Sequence, residues 1–338
     1  MVVADGAGSG AAVTDVLDMT GGTGNVGLGS GALGTAMTTG TNNVAVGENA
    51  LDAFTTATDN VAVGDTAATA LTTGSYNTAV GSAALDATTT GASNIAVGNN
   101  ALGANTTASN NTAVGTDALL LNTTGASNVA VGYAALDANT TASNNVAVGQ
   151  AALGANTTGH SAVAVGYGAL ASHTTDTGSV AIGYNALTSH TNADGAYNVA
   201  VGYAALDANT DGHSNVGIGK NALGANTTAD NNTAMGNNAL QNNTTGATNT
   251  AVGSRALQAN TTASDNVAVG YDAMYATTTG HSNAAVGRDA LAANTTGTGN
   301  VAVGYTTLDA NTTGAYNVAV GYNSLTANTT ADANTAIG

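Results

Sequence analysis

A repeat of 17 residues constrains this chain more than any other feature. The segment "NVAVGYAALDANTTASN" (128–144) is followed directly by "NVAVGQAALGANTTGHS" (145–161). If the glycine that closes each N-x-A-x-G segment is the anchor, nineteen anchors run from Gly29 to Gly338, and sixteen of their eighteen intervals are 17 residues long. The other two intervals are one and two residues longer. Repeats this short are typical of solenoids, in which each unit stacks on the next.

The pattern inside one unit predicts β-structure. In "V-A-V" the alternation places Val129 and Val131 on one face and Ala130 on the other. The glycine then permits a corner, and "A-A-L-D-A" predicts a second extended piece with Leu136 turned inward. Asn and Thr favour the next turn, and they would interrupt a helix every turn or two. We therefore expect two short strands and two corners in each coil, with valine and leucine in the core.

The repeat also sets the expected fold class and domain organisation. Seventeen residues are too few for a pair of helices and suit one turn of a β-solenoid. The sequence predicts an all-β chain, a parallel β-roll of about eighteen 17-residue coils. Residues 1–24 precede the repeat and are expected to form an N-terminal cap or attachment segment. Residues 25–338 are expected to form one repeat array.

Stacking would turn positions 17 residues apart into neighbours, about 4.8 Å apart. Seven residues after the anchor this predicts an asparagine ladder, interrupted by His173 and His190. Five residues after the anchor aspartates recur, but never in adjacent coils, as like charges about 5 Å apart would require. The ladder asparagines are Asn105, Asn122, Asn139, Asn156, Asn209, Asn226, Asn243 and Asn260, and the aspartates are Asp52, Asp86, Asp137, Asp207 and Asp309.

Composition excludes several classes of function. The formal net charge is −17, and Lys220, Arg255 and Arg288 are the only strong cations. Nucleic-acid binding needs clustered Lys and Arg, so we expect no nucleic-acid partner. The chain has no cysteine, and no run of about 18 apolar residues that would predict membrane insertion. The first residues lack the basic region of a secretory signal.

A single coil offers little apolar surface to offset the entropy of ordering 17 residues. A second apolar face packed against another chain would supply more, and small residues such as Ala130, Ala134 and Ala135 would let chains approach closely. The sequence therefore predicts a homo-oligomer, with a trimer as the first expectation. The last repeat ends directly after a strand, so head-to-tail stacking of copies is an alternative expectation.

The unit "NVAVG" followed by "AL", and most closely "GSVAIGYNAL" (178–187), resembles the head repeats of the YadA-like trimeric autotransporter adhesins and related repeats in phage and extracellular fibre proteins. The resemblance implies a left-handed parallel β-roll, a trimer, and binding to a cell-surface glycan or protein receptor. The period is longer than that family's usual repeat, and neither a coiled-coil stalk nor a C-terminal membrane anchor is visible. Extracellular or virion-surface localisation follows from the resemblance as an expectation.

Several residue types are candidates for sites. Asn-Thr-Thr matches the N-glycosylation sequon, although a structural ladder explains the same residues. His173 and His190 would lie in adjacent coils and are candidate metal ligands, with ladder or solvated histidines as the alternative. The sequon asparagines are Asn105, Asn122, Asn139, Asn156, Asn226, Asn243, Asn260, Asn294, Asn311 and Asn328.

Two surface patterns add alternatives. Adjacent threonines could bind ice, but successive strand residues face opposite sides, so we expect only one threonine file on a face. Tyrosines directly after the anchor glycine could bind glycans or proteins, or could simply cover the coil edge. These tyrosines are Tyr133, Tyr167, Tyr184, Tyr203, Tyr271, Tyr305 and Tyr322.

No nucleophile elbow, phosphate-binding loop or catalytic triad interrupts the period. The sequence predicts no enzyme activity and no cofactor. The expected function is a structural or adhesive fibre, of a virion appendage or an extracellular surface. The alternatives are a self-assembling head-to-tail extracellular filament and an ice- or glycan-binding solenoid.

Overall fold

The computed structural model describes residues 23–175, 177–191 and 196–338. Most of the expected N-terminal segment, residues 1–22, therefore lies outside the described residues. The chain divides into two compact units, Met1–Thr116 and Asp117–Gly338.

The described residues form nineteen three-residue strands, joined by turns and bends. The first unit contains β1–β6, which are Val26–Leu28, Val44–Val46, Val61–Val63, Thr78–Val80, Ile95–Val97 and Thr112–Val114. The second unit contains β7–β19, which are Val129–Val131, Val146–Val148, Val163–Val165, Val180–Ile182, Val199–Val201, Val216–Ile218, Thr233–Met235, Thr250–Val252, Val267–Val269, Ala284–Val286, Val301–Val303, Val318–Val320 and Thr335–Ile337.

Within each unit, every strand pairs in parallel with the strand of the next coil, and equivalent positions of the repeat lie opposite each other. In the first unit Val44 pairs with Val61, and in the second Val129 pairs with Val146. This one-strand-per-coil pairing in register is the arrangement of a β-solenoid. The predicted fold class, an all-β parallel β-roll of about eighteen coils, is confirmed.

The predicted second strand of each coil is wrong. Residues 133–138 form turns, and Leu136 has a left-handed backbone with φ of 52°. Such a φ is unusual for a bulky residue, and it persists only where the surroundings fix it. Here the Leu136 side chain is fully buried, and its N–H donates to Ala152 O in the next coil at 3.0 Å. Burial and cross-coil bonding together hold the strained turn.

The anchor glycine is required by the backbone at the corner after each strand. Gly219, for example, has φ of +132°, and an added Cβ would lie 2.5 Å from Gly236 O in the next coil. Both the left-handed backbone and the close approach of the next coil exclude a side chain. The invariant glycine therefore marks the place where neighbouring coils contact each other through backbone alone.

The predicted valine core is also wrong. The central alanine of the strand is buried, as Ala130 shows with no exposed surface, whereas Val129 and Val131 are partly exposed on the opposite side. Leu136 and Ala135 are also buried in the interior, and Ala134 is only half-buried. The coil interior is therefore narrow, and alanine is the residue that fits between its closely spaced walls. The valines lie on an outer face instead.

Candidate functional site

The outer face of the sheet is an apolar surface in each unit. The first and third residues of every strand point outward, and the in-register pairing stacks them into two columns. Exposed members include Ile95 at 42%, Val267 at 40% and Val286 at 42%. In β7–β19, twenty-two of the twenty-six outward residues are Val, Ile or Met. Soluble monomers rarely expose contiguous apolar patches of more than a few hundred Å².

The asparagines seven residues after the anchor form a hydrogen-bonded column in the interior of the second unit. Asn243 Nδ2 donates to Asn226 Oδ1 at 3.0 Å, and Asn260 Nδ2 donates to Asn243 Oδ1 at 2.7 Å. Each Nδ2 also donates to a backbone carbonyl three residues further on, as Asn243 does to Gly246 O at 2.9 Å. Both amide hydrogens and the amide oxygen of Asn243 are therefore satisfied, which buried polar groups require. The column is structural.

A second asparagine column, at the residue before each strand, was missed in the sequence analysis. Asn60 is buried, and its Oδ1 accepts bonds from Asn77 N at 2.8 Å and Asn77 Nδ2 at 3.1 Å. Its Nδ2 donates to Gly74 O at 3.1 Å. In the second unit Asn232 N donates to Asn215 Oδ1 at 2.9 Å. These asparagines are the first residue of each N-x-A-x-G motif, so their recurrence every 17 residues is the sequence signal for this second column.

The two candidate metal ligands lie in the interior column. His173 and His190 are both fully buried, and their ring centroids are 6.0 Å apart. Asn209 Nδ2 lies 3.4 Å from His190 Nδ1, so the histidine continues the column of amides. No group of three or more His, Cys, Asp or Glu side chains suited to a metal occurs among the described residues. Two imidazoles alone provide half of a tetrahedral zinc site.

The sequon asparagines are largely inaccessible. Nine of the ten, all except Asn328, have no exposed surface, and their Nδ2 atoms face the interior. Nδ2 is the atom to which a glycan would be attached, and in Asn139 it donates to Asn122 Oδ1 at 2.7 Å and to Ala142 O at 3.1 Å. Attachment would replace one of the two Nδ2 hydrogens and so remove at least one of these bonds. In the nine buried sequons the atom that would carry a glycan is therefore engaged inside the coil, whereas Asn328 is partly exposed.

The paired threonines lie at a bend and not in a strand. The first of the pair is half-buried and its hydroxyl donates to the neighbouring coil, as Thr227 Oγ1 does to Thr244 O at 3.2 Å. The second threonine, for example Thr141 or Thr245, is exposed. One of the two hydroxyl files is therefore engaged in joining coils, and the other faces solvent.

Five of the seven tyrosines after the anchor glycine stack on one another in the second unit. The rings of Tyr167 and Tyr184 lie 5.2 Å apart with an interplanar angle of 10°, and those of Tyr184 and Tyr203 lie 5.2 Å apart at 7°. Tyr305 and Tyr322 form a second pair, at 5.4 Å and 8°. Ring faces inside these stacks are covered by neighbouring rings, so a sugar cannot stack on them. The side chains themselves remain exposed, by 47% in Tyr184 and by 70% in Tyr322.

The three strong cations adjoin the same tyrosine column. Lys220 Nζ lies 5.9 Å from the Tyr203 ring, and the Arg288 guanidinium lies 5.5 Å from Tyr271 and 5.8 Å from Tyr305. Cation–π attraction stabilises such placements by about 0.5–1 kcal/mol at exposed sites. Arg288 thus separates Tyr271 from the pair that follows it.

A shallow notch of about 260 Å³ lies beside Asp207. It exists because Gly224, in the next coil, has no side chain to cover the carboxylate. Burial raises the pKa of Asp207, and hydrogen bonds from its own N–H and that of Ala208 partly oppose this. The side chains of Asn221 and Gln241 complete the lining, which offers hydrogen bonds but no pair of acid and base.

A helix that could cross a bilayer is not found among the described residues. No protein-family model and no curated protein matches this chain.

Proposed function

We propose that this protein is a non-enzymatic structural fibre protein whose copies associate through the outer valine face. Its place would be the shaft of a virion appendage or of an extracellular surface fibre. A single observation carries the proposal: the sheet of β7–β19 presents two columns of outward side chains, one aliphatic throughout and one interrupted by Thr233, Thr250 and Thr335. The interior of each coil is complete without them, so these side chains are available to a partner.

The magnitudes favour association. A side chain such as Val267, 40% exposed, would contribute roughly 0.5–1 kcal/mol if its remaining surface were buried. Eight of the twenty-two aliphatic side chains are at least 36% exposed, and these eight alone would contribute on the order of 4–8 kcal/mol from each chain. The loss of translational and rotational freedom on association costs about 4–15 kcal/mol. A shared valine face would therefore offset the cost of bringing copies together.

A second copy of this chain is the partner that best fits the face. The columns of one chain repeat with the pitch of its own coils, and an identical chain presents the same pitch. The expected assembly is a homo-oligomer, with a trimer first among the alternatives because three such sheets enclose an apolar centre. The exposed acidic side chains would keep the assembly soluble.

The test replaces valines by threonine, which already occupies the same position in Thr233 and Thr250. In a variant with Val146→Thr, Val163→Thr and Val180→Thr, association should weaken by at least roughly tenfold, because apolar area is removed from the interface. Sedimentation velocity over a range of protein concentrations measures the oligomeric state. The matched control places three substitutions on the exposed bend, Thr141→Val, Thr158→Val and Thr228→Val.

A monomeric parent protein at micromolar concentration, or equal association of parent and valine variant, would refute the proposal. Electron micrographs separate the two forms of assembly. Particles of one length indicate a closed oligomer, and fibres of indefinite length indicate head-to-tail addition.

A further inference from the structure

The stacked tyrosines are not explained by the proposed fibre function. Within each stack the rings face each other at 5.2–5.4 Å, and the interplanar angle does not exceed 10°. The rings are also accessible, with 49% of Tyr167, 47% of Tyr184 and 54% of Tyr203 exposed. We propose that these stacks are sites of oxidative cross-linking, where dityrosine joins neighbouring coils of one chain.

The geometry suits this chemistry. Two tyrosyl radicals couple through their ortho carbons, and the new bond forms between the faces of the rings, where the unpaired electron density lies. Tyr167 and Tyr184 already present their faces to each other. Holding two reactants in place replaces a bimolecular encounter by an intramolecular step, which raises the effective concentration by many orders of magnitude.

The reaction balances with an external one-electron oxidant, such as a haem peroxidase supplied with hydrogen peroxide. Each phenol loses one electron and its hydroxyl proton to give a tyrosyl radical. The radicals join by one C–C bond between ortho carbons, and the hydrogen on each of these carbons then moves to the oxygen of its own ring. Two phenols and one hydrogen peroxide thus give one dityrosine and two molecules of water.

The same column contains internal controls. Tyr133 is 57% exposed, but Gln150 occupies the equivalent position in the next coil. Tyr271 is followed by Arg288, whose guanidinium lies 5.5 Å from its ring. Both tyrosines are accessible to an oxidant, and neither has a stacked tyrosine among the described contacts. Exposure alone would oxidise all of these residues, whereas cross-linking within a chain requires the stack.

The experiment treats dilute full-length chain with peroxidase and hydrogen peroxide. Dityrosine fluorescence measures the yield, and a denaturing gel separates cross-links within one chain from those between chains. Digestion at aspartate identifies the partners, because Asp176 lies between Tyr167 and Tyr184, and Asp309 lies between Tyr305 and Tyr322. The expected products migrate as single chains and join tyrosines of adjacent coils, with the loss of two hydrogen atoms in mass.

The decisive variant combines Tyr184→Phe with Tyr322→Phe. Phenylalanine keeps the ring stack and removes the phenol, so circular dichroism should show an unchanged fold. Dityrosine yield should fall roughly tenfold, because no tyrosine then faces another at stacking distance. The control Tyr133→Phe should leave the yield unchanged. An undiminished yield in the double variant, cross-linked peptides containing Tyr133, or products that migrate mainly as multimers would each overturn the proposal.

Discussion

The two compact units fill the same interior column in different ways. Seven residues after the anchor, the first unit carries Phe54 and Leu71 before the column turns polar at Thr88, whereas the second carries a run of asparagines such as Asn226 and Asn243. All five side chains are at most 1% exposed. One backbone coil therefore accepts either apolar packing or an amide ladder at this position.

The difference lies in how far the effect of one residue extends. Phe54 and Leu71 contribute through apolar contacts, which weaken locally when a side chain is shortened. Asn243 is bonded to Asn226 in one coil and to Asn260 in the next. Removing one amide therefore leaves groups in neighbouring coils unsatisfied, and the second unit should respond over more coils than the first.

The largest expected loss of stability follows from changing the anchor glycine, which both units contain at the corner after each strand. Gly64→Ala in the first unit and Gly219→Ala in the second should each destabilise their coil by roughly 4 kcal/mol, because a left-handed corner is strained and the next coil is overpacked. Hydrogen exchange measured by mass spectrometry would report local opening in each unit. Gly224→Ala is the control, since its Cβ would meet no atom closer than 3.3 Å. Unequal effects in the two units would show that their corners are not equivalent.

An intermediate effect is expected from exchanging the two kinds of interior. Asn243→Leu should destabilise the second unit by about 2–3 kcal/mol, because Asn226 Oδ1 loses its donor and Gly246 O loses a bond. The loss of protection from hydrogen exchange should extend into the coils on both sides. Thr245→Ala, on the exposed bend of the same coil, should change stability by less than about 0.5 kcal/mol.

The reverse exchange, Leu71→Asn, should affect fewer coils, because Phe54 below it offers no amide partner. Leu71→Met conserves volume and should cost less than about 1.5 kcal/mol. If Asn243→Leu increased hydrogen exchange only in its own coil, the asparagine ladder would not couple neighbouring coils as described.

The smallest effect is expected at Asp207, where burial raises the carboxyl pKa above its ordinary value of 3.8. Because the native pKa is raised, the folded state binds more protons than the unfolded state between pH 3.8 and the native pKa. Stability from this group is therefore greatest below pH 3.8 and decreases as pH rises through the native pKa. Asp207→Asn should slightly stabilise the protein at neutral pH, and the difference should vanish in acid. Asp65→Asn, on an exposed edge, is the control in urea unfolding at several pH values.

The sequence predicted the period, the parallel stacking of coils and the interior position of Leu136. A repeat of fixed length brings equivalent residues together in stacked coils, and stacking leaves few other places to bury a leucine in each coil. The sequence did not predict which side of the strand faces inward. The alternation shows that Val129 and Val131 lie on one face and Ala130 on the other, but it does not show which of the two faces is buried. A usable signal was the substitution pattern, since Thr78 and Thr112 replace the first valine while the central residue stays Ala or Gly. The prediction of a second strand was wrong because no sequence pattern indicates that a leucine such as Leu136 will adopt a left-handed backbone.

Within each unit, the hydrogen bonds between asparagine side chains connect a coil only to the coils directly before and after it. Each of these bonds joins Nδ2 of one asparagine to Oδ1 of the asparagine in the preceding coil. Loss or duplication of one whole 17-residue unit would consequently leave the backbone pairing and the asparagine ladder in register. Recombination between repeats at the level of the gene could therefore change the copy number without shifting that register. For such a chain, length is a heritable trait that can change in a single step.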